Sequence, residues 1–223
     1  MIKNILFSIV IIFSVNFRGN TQNIQQIDSI SYRFCEFIEN MPEMDNDTLK
    51  FEVFVKRALE PFIHSLDPEN AEKIFDQLFF RLQRNCIAFT DLLDVIQPPA
   101  ERGDRTLEKP LTKLSAKELA KFKKRSKFYY KEASGEITKL TMKNGKWKDK
   151  FVDGTYSLLS YEWISDYEFV LTFKESNNVT RANFSVPGDQ LVYGVVEKHS
   201  DHYLMFILLP GKNPVYEYFK LYF

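Results

Sequence analysis

From Ser126 to Phe223 apolar and polar residues alternate with a period of two, and the alternation is cut at short intervals by ASG, KNG, DG, SD, ESNN, VPG, HS and PGKNP. A period of two places successive side chains on opposite faces of a strand, and these segments carry turn chemistry. Parallel strands need long crossovers, so such short connections force antiparallel neighbours. The candidate strands are KFYYK, EITKLTM, KWKDKFV, TYSLLSYEW, YEFVLTF, VTRANFS, DQLVYGVVE, HYLMFILL and VYEYFKLYF. Residues 126–223 therefore read as an antiparallel β-meander, either a small barrel or a curled sheet.

LVYGVV and YLMFILL are apolar on both faces. One face can fill the interior, and the other needs a cover, for which the helices upstream are available. This predicts one docked α+β body. The densest aromatic stretch, YEWISDYEFVLTF at 161–173, reads as the end of one strand, a turn at Ser165-Asp166, and the next strand. Tyr161, Trp163, Phe169, Tyr193 and Phe206 are the candidate ligand-binding residues. A cavity there requires these rings to converge on a void of at least roughly 300 Å³.

Residues 22–97 read as a three-helix segment. Ile27, Ile30, Phe34 and Ile38 recur at helical spacing, and Asp45 or Asn46 can cap a second helix that Pro61 should kink or end. Asp67-Pro68-Glu69 opens a third helix, which the apolar stripe carries to about Ile96. Residues 98–125 form a linker and a short basic helix, the latter opened by the capping box Ser115-Ala-Lys-Glu118.

At the N-terminus Lys3 precedes an apolar run from Ile5 to Phe13, followed by Val15 and Phe17 and then by small or polar Gly19-Asn20-Thr21 before Gln22. This is the pattern of a signal peptide over residues 1–21. It predicts an exported protein, periplasmic or extracellular, with no transmembrane span once the signal is removed. Export makes Cys35 and Cys86 a disulfide by default. The alternative is two buried free thiols.

Charge is uneven. Residues 101–150 carry 16 basic and 7 acidic side chains, between flanks where acidic residues predominate. An anion-binding patch is one reading, and a solvated face partly neutralised by the acidic flanks is the plainer one. Export argues against nucleic acid. His199-Ser200-Asp201-His202 offers metal-ligand chemistry, but only His64 remains to add an imidazole, and no metal or cofactor is expected. No nucleophile elbow, HExxH, P-loop or dinucleotide fingerprint occurs, and pairs such as Asp166/Glu168 have no evident partners, so no catalytic residue is assigned. Asn46, Asn178 and Asn183 head N-glycosylation acceptor triplets, which matter only for export through an endoplasmic reticulum. The alternating KLYF terminus is interrupted by Glu217 on one face, and the strands are nearer seven residues than the nine to eleven of a membrane barrel.

Trp163, Asp166, Tyr167 and Phe169, with the KFYYK and ITKLTM strands, give the C-terminal part a resemblance to a group of small, uncharacterised exported bacterial proteins whose β-part is similar to lipocalin-like (calycin) modules. Gly145-Lys-Trp147 is similar to the lipocalin G-x-W signature. Only 76 residues follow Trp147, fewer than a full lipocalin barrel uses, which argues against a large internal cavity. The resemblance implies fold and compartment and no chemistry. The expected function is non-catalytic binding of an apolar or amphipathic ligand, or of an envelope partner protein. The alternative is a purely structural domain of the cell envelope, with an enzyme built on scattered carboxylates less favoured.

Overall fold

A computed structural model describes residues 19–44, 46–100, 103–211 and 213–223. The expected signal peptide lies almost wholly outside the described residues. Among the described residues no helix is long and apolar enough to cross a membrane.

The helices come first. Helix α1 (Gly19–Glu39) is followed by α2 (Asp47–Phe54), a π-turn at Val55–Leu59, and α3 (Glu60–His64). Asn46 caps α2, its side chain accepting from the Leu49 amide at 2.7 Å. Pro61 stands in the first turn of α3, where its missing N–H is tolerated, and the π-turn before it absorbs the break. Asp67 caps α4 (Pro68–Asn85), with Pro68 in the first turn. The expected third helix is two helices. The chain is extended at Cys86, whose Sγ accepts from the Phe89 amide, before α5 (Ile87–Ile96) resumes. Cys35 and Cys86 form a disulfide with Cα atoms 5.4 Å apart, among Ile38, Phe54, Leu82, Phe89 and Leu92.

A two-residue strand β1 (Arg105–Thr106) and helix α6 (Ala116–Lys124) lead into the sheet. The capping box at Ser115 and Glu118 is present in full. Strands β2 (Lys127–Lys131), β3 (Ile137–Lys143), β4 (Lys146–Lys150), β5 (Tyr156–Trp163), β6 (Glu168–Ser176), β7 (Gln190–Lys198), β8 (His202–Leu209) and β9 (Val215–Tyr222) pair in chain order, all antiparallel. Strand β9 returns to β2 through Tyr129 and Tyr222, which closes an eight-stranded barrel. The α+β layout is as expected, and closure is consistent with a lipocalin-like barrel. Trp147 stands on the third barrel strand, so the strands ahead of it complete the circle that the residues after it could not. VTRANFS is not a strand: Val179–Phe184 forms α7, capped by Asn178.

The two ends of the barrel differ. At one end α6 is a plug: Phe122 is fully buried, 4.8 Å from the Tyr203 ring edge-on and 5.3 Å from Phe128. The other end faces α4, α5 and α7. Arg81 of α4 locks the layers together. Its Nε donates to Asp28 of α1 at 2.6 Å, and it also donates to Asp189 before β7 and to the Phe184 carbonyl of α7.

The second apolar face of β7 to β9 is covered, but not by the helices. Strand β1 holds the chain to Tyr216 and Glu217 of β9, and the Lys113 amide donates to the Val196 carbonyl of β7 at 2.7 Å. The intervening strap must therefore cross the outer face of β8, where Phe206 packs with Val196 and Tyr216. The helices instead cap the barrel end. One reason is that their docking surface is polar and built around Arg81, which suits a rim of loop backbone better than an apolar wall.

Candidate functional site

Inside the plugged end the rings meet one another. Phe169 lies 5.0 Å from Trp163, 6.3 Å from Tyr161, 6.0 Å from Trp147 and 5.8 Å from Tyr193, centroid to centroid. Phe206 points away from this group, on the outer wall, where its ring occupies the room left by Gly194: a Cβ on Gly194 would fall 2.1 Å from that ring. The five candidate rings thus do not converge on a void. Tyr161, Trp163 and Phe169 are packing, Phe206 is outside, and Tyr193 alone reaches open space.

That space is a cavity of about 760 Å³ between the unplugged barrel end and the helices. It has two kinds of wall. Strands β6 to β9 contribute Leu171, Phe173, Leu191, Ile207, Leu209 and Phe219. Strands β2 to β5 and the connection through α7 contribute Tyr130, Glu132, Asp149, Ser157 and Arg181. The lining is sorted because inward positions of KFYYK, KWKDK and YSLLS carry polar atoms near the open end, whereas those of β6 to β9 are aliphatic or aromatic apart from Glu217, which pairs with Arg105.

The polar wall is a connected group. Arg181 pairs with Glu132, which also accepts from the Thr138 hydroxyl at 2.6 Å. The Trp147 indole N–H donates to Asp149 at 2.9 Å, with the Tyr130 hydroxyl beside the same carboxyl. Burial pushes the Asp149 pKa up to about 7, while Arg181 and the indole donor pull it the other way. Burial works against the Arg181 charge, but Tyr130, Glu132 and Asp149 outweigh it and hold the guanidinium above its ordinary value. Burial also raises Tyr130 and Tyr193, so both phenols stay protonated at neutral pH. The Arg181 side chain retains 32% of its surface, so a bound polar group has a cation to reach. At and beside its polar wall the cavity therefore offers the Tyr130 and Tyr193 hydroxyls, the Arg181 guanidinium, and a carboxyl that changes charge near neutrality.

Among the described residues no group of three or more His, Cys, Asp or Glu side chains could hold a metal ion. His199 and His202 stack at the β7–β8 turn, with Asp201 on His202, while His64 ends α3. Asp166 is exposed in the β5–β6 turn, whereas Glu168 is buried and paired with Lys109 of the strap. Comparison with protein-family models finds no match, and comparison with curated protein sequences finds none either.

Proposed function

We propose that this protein is a non-catalytic carrier or sensor of a small amphipathic molecule held in the unplugged end of the barrel. The observation that carries this reading is the sorted lining of the cavity. A molecule with one apolar and one polar part can bury the first against β6 to β9 and bond the second to Tyr130, Asp149 and Arg181. A volume of about 760 Å³ is within the range that encloses a small ligand. Desolvated polar groups at one wall fix orientation, and the apolar wall supplies most of the binding energy.

Export belongs to the same proposal. It is supported by the Cys35–Cys86 disulfide, a bond that persists in oxidising compartments, together with the apolar run at residues 5–13. One observation favours a second reading. Asp149, with a pKa near 7 and facing the cavity, has the properties of a general acid or base. Against it, Asp149 is already engaged by Trp147 and Tyr130, and the hydroxyl of Ser157, its cross-strand neighbour, bonds to Ser176 instead.

The test is native mass spectrometry of the purified mature protein, followed by solvent extraction. A co-purifying amphiphile, displaced in the cavity-filling variant Leu191→Trp, is the expected result. A clean apo mass that no added amphiphile shifts would defeat the proposal, and turnover of a bound molecule would favour the second reading.

A further inference from the structure

Strands β3 and β4 present an outer face made almost wholly of lysine. Ile137, Lys139, Thr141 and Lys143 point outward from β3, and Lys146, Lys148 and Lys150 from β4, all exposed. The register sets like against like: Lys139 is opposite Lys150, and Lys143 is opposite Lys146. Like charges directly opposed across a strand pair destabilise the sheet, so this grid is a cost to the fold taken alone. Among the described residues Lys139, Lys143, Lys146 and Lys150 have no ion-pair partner. Lys148 lies over the Tyr156 ring at 4.9 Å. Among the described residues no helix or strap covers the face. At its edge toward the unplugged barrel end, Ile137, Val152 and Val179 are exposed to 46%, 64% and 72%.

We propose that this face docks on an anionic lipid bilayer. The charges are lysines, point cations with no fork for bidentate recognition, so they answer a dense field of negative charge rather than one anion. The face is the outer wall of a closed barrel, which curves away from an extended strand of polyanion. The exposed aliphatic side chains at its edge would gain nothing from a soluble polyanion, but can enter the interface of a bilayer. Each lysine near such a surface adds attraction, and small apolar insertions supplement it. This inference rests on the outer wall and is independent of the cavity.

The test is vesicle flotation. One set of vesicles is phosphatidylcholine with about one third phosphatidylglycerol, and the other is phosphatidylcholine alone. Two variants accompany the natural protein. The first is Lys139→Glu with Lys146→Glu, which turns both like-charge pairs into opposite-charge pairs and should raise the melting temperature. The second is Ile137→Ser, Val152→Ser and Val179→Ser. Binding to the anionic vesicles alone is expected, weakened as salt rises, reduced at least about tenfold in the first variant and measurably in the second. Equal binding to both vesicle types, or to neither, would overturn the proposal. So would loss in the first variant with full retention in the second and complete competition by a soluble polyanion, which would assign the face to polyanions instead.

Discussion

Asp149 is a carboxyl that burial in the cavity wall holds far from its ordinary behaviour in water. Its pKa is about 3.8 in the open chain and about 7 in the fold. Between those values the folded state holds a proton that the unfolded state has lost. Stability from this group is thus full below about pH 4, falls as pH rises to about 7, and is level beyond. Asp149→Asn keeps an acceptor for the Trp147 indole and removes the titration. It should gain about 2–3 kcal/mol at pH 8 and flatten the stability profile between pH 4 and 7, as urea denaturation across that range would read. Arg81 argues in the opposite direction. Its guanidinium is almost wholly buried between Asp28 and Asp189, so truncation leaves Asp28, among the described residues, with only the Asn85 amide and Asp189 with only Arg84 and the Val186 amide. Arg81→Met should cost about 3–5 kcal/mol in the same measurement.

At the scale of elements, α6 and the strap do different work. Phe122 fills the plugged end, and Phe122→Ala should cost about 3–5 kcal/mol by calorimetry while leaving the opposite end of the barrel unchanged. The strap lies so close to β9 that a Cβ on Gly103 would fall 1.4 Å from the Tyr218 carbonyl oxygen, so Gly103→Ala should lift it and expose Phe206 and Tyr216 to hydrogen exchange. Most elements were legible from local chemistry. Asp67-Pro68 and Ser115-x-x-Glu118 opened helices where they should, and Asn144-Gly145 took the positive φ values that a tight hairpin needs. The failures also have local causes. VTRANFS alternates like a strand, and six residues are too few to show a helical period, so only the Asn178 cap decides its state. The break at Cys86 has no Gly or Pro to announce it. The polar wall was not legible because Tyr130, Asp149 and Arg181 come from three separate elements. The one available sign was that Trp147 and Asp149 share a face of KWKDK, which puts a carboxyl inside the barrel.

The whole molecule is a barrel closed at one end by its own helix and capped at the other by a disulfide-bearing helical layer. The bond between Cys35 and Cys86 closes a separation of 51 residues. Reduction should lower stability by about 4 kcal/mol on the chain-entropy account and the melting temperature by roughly 10 °C. Because Arg81 joins that layer to the rim, loosening the helices should open the cavity before the sheet unfolds.

The central claim is that the unplugged end, and not the aromatic cluster, receives a ligand. The two tryptophans stand on opposite sides of that distinction: Trp147 lines the cavity, and Trp163 packs against the plug. The decisive measurement is a fluorescence titration with dodecanoate and dodecanol of two single-tryptophan proteins, Trp163→Phe and Trp147→Phe. The account predicts a saturable change in the protein that keeps Trp147 and none in the protein that keeps Trp163. A response from Trp163 alone, or from neither, would contradict it.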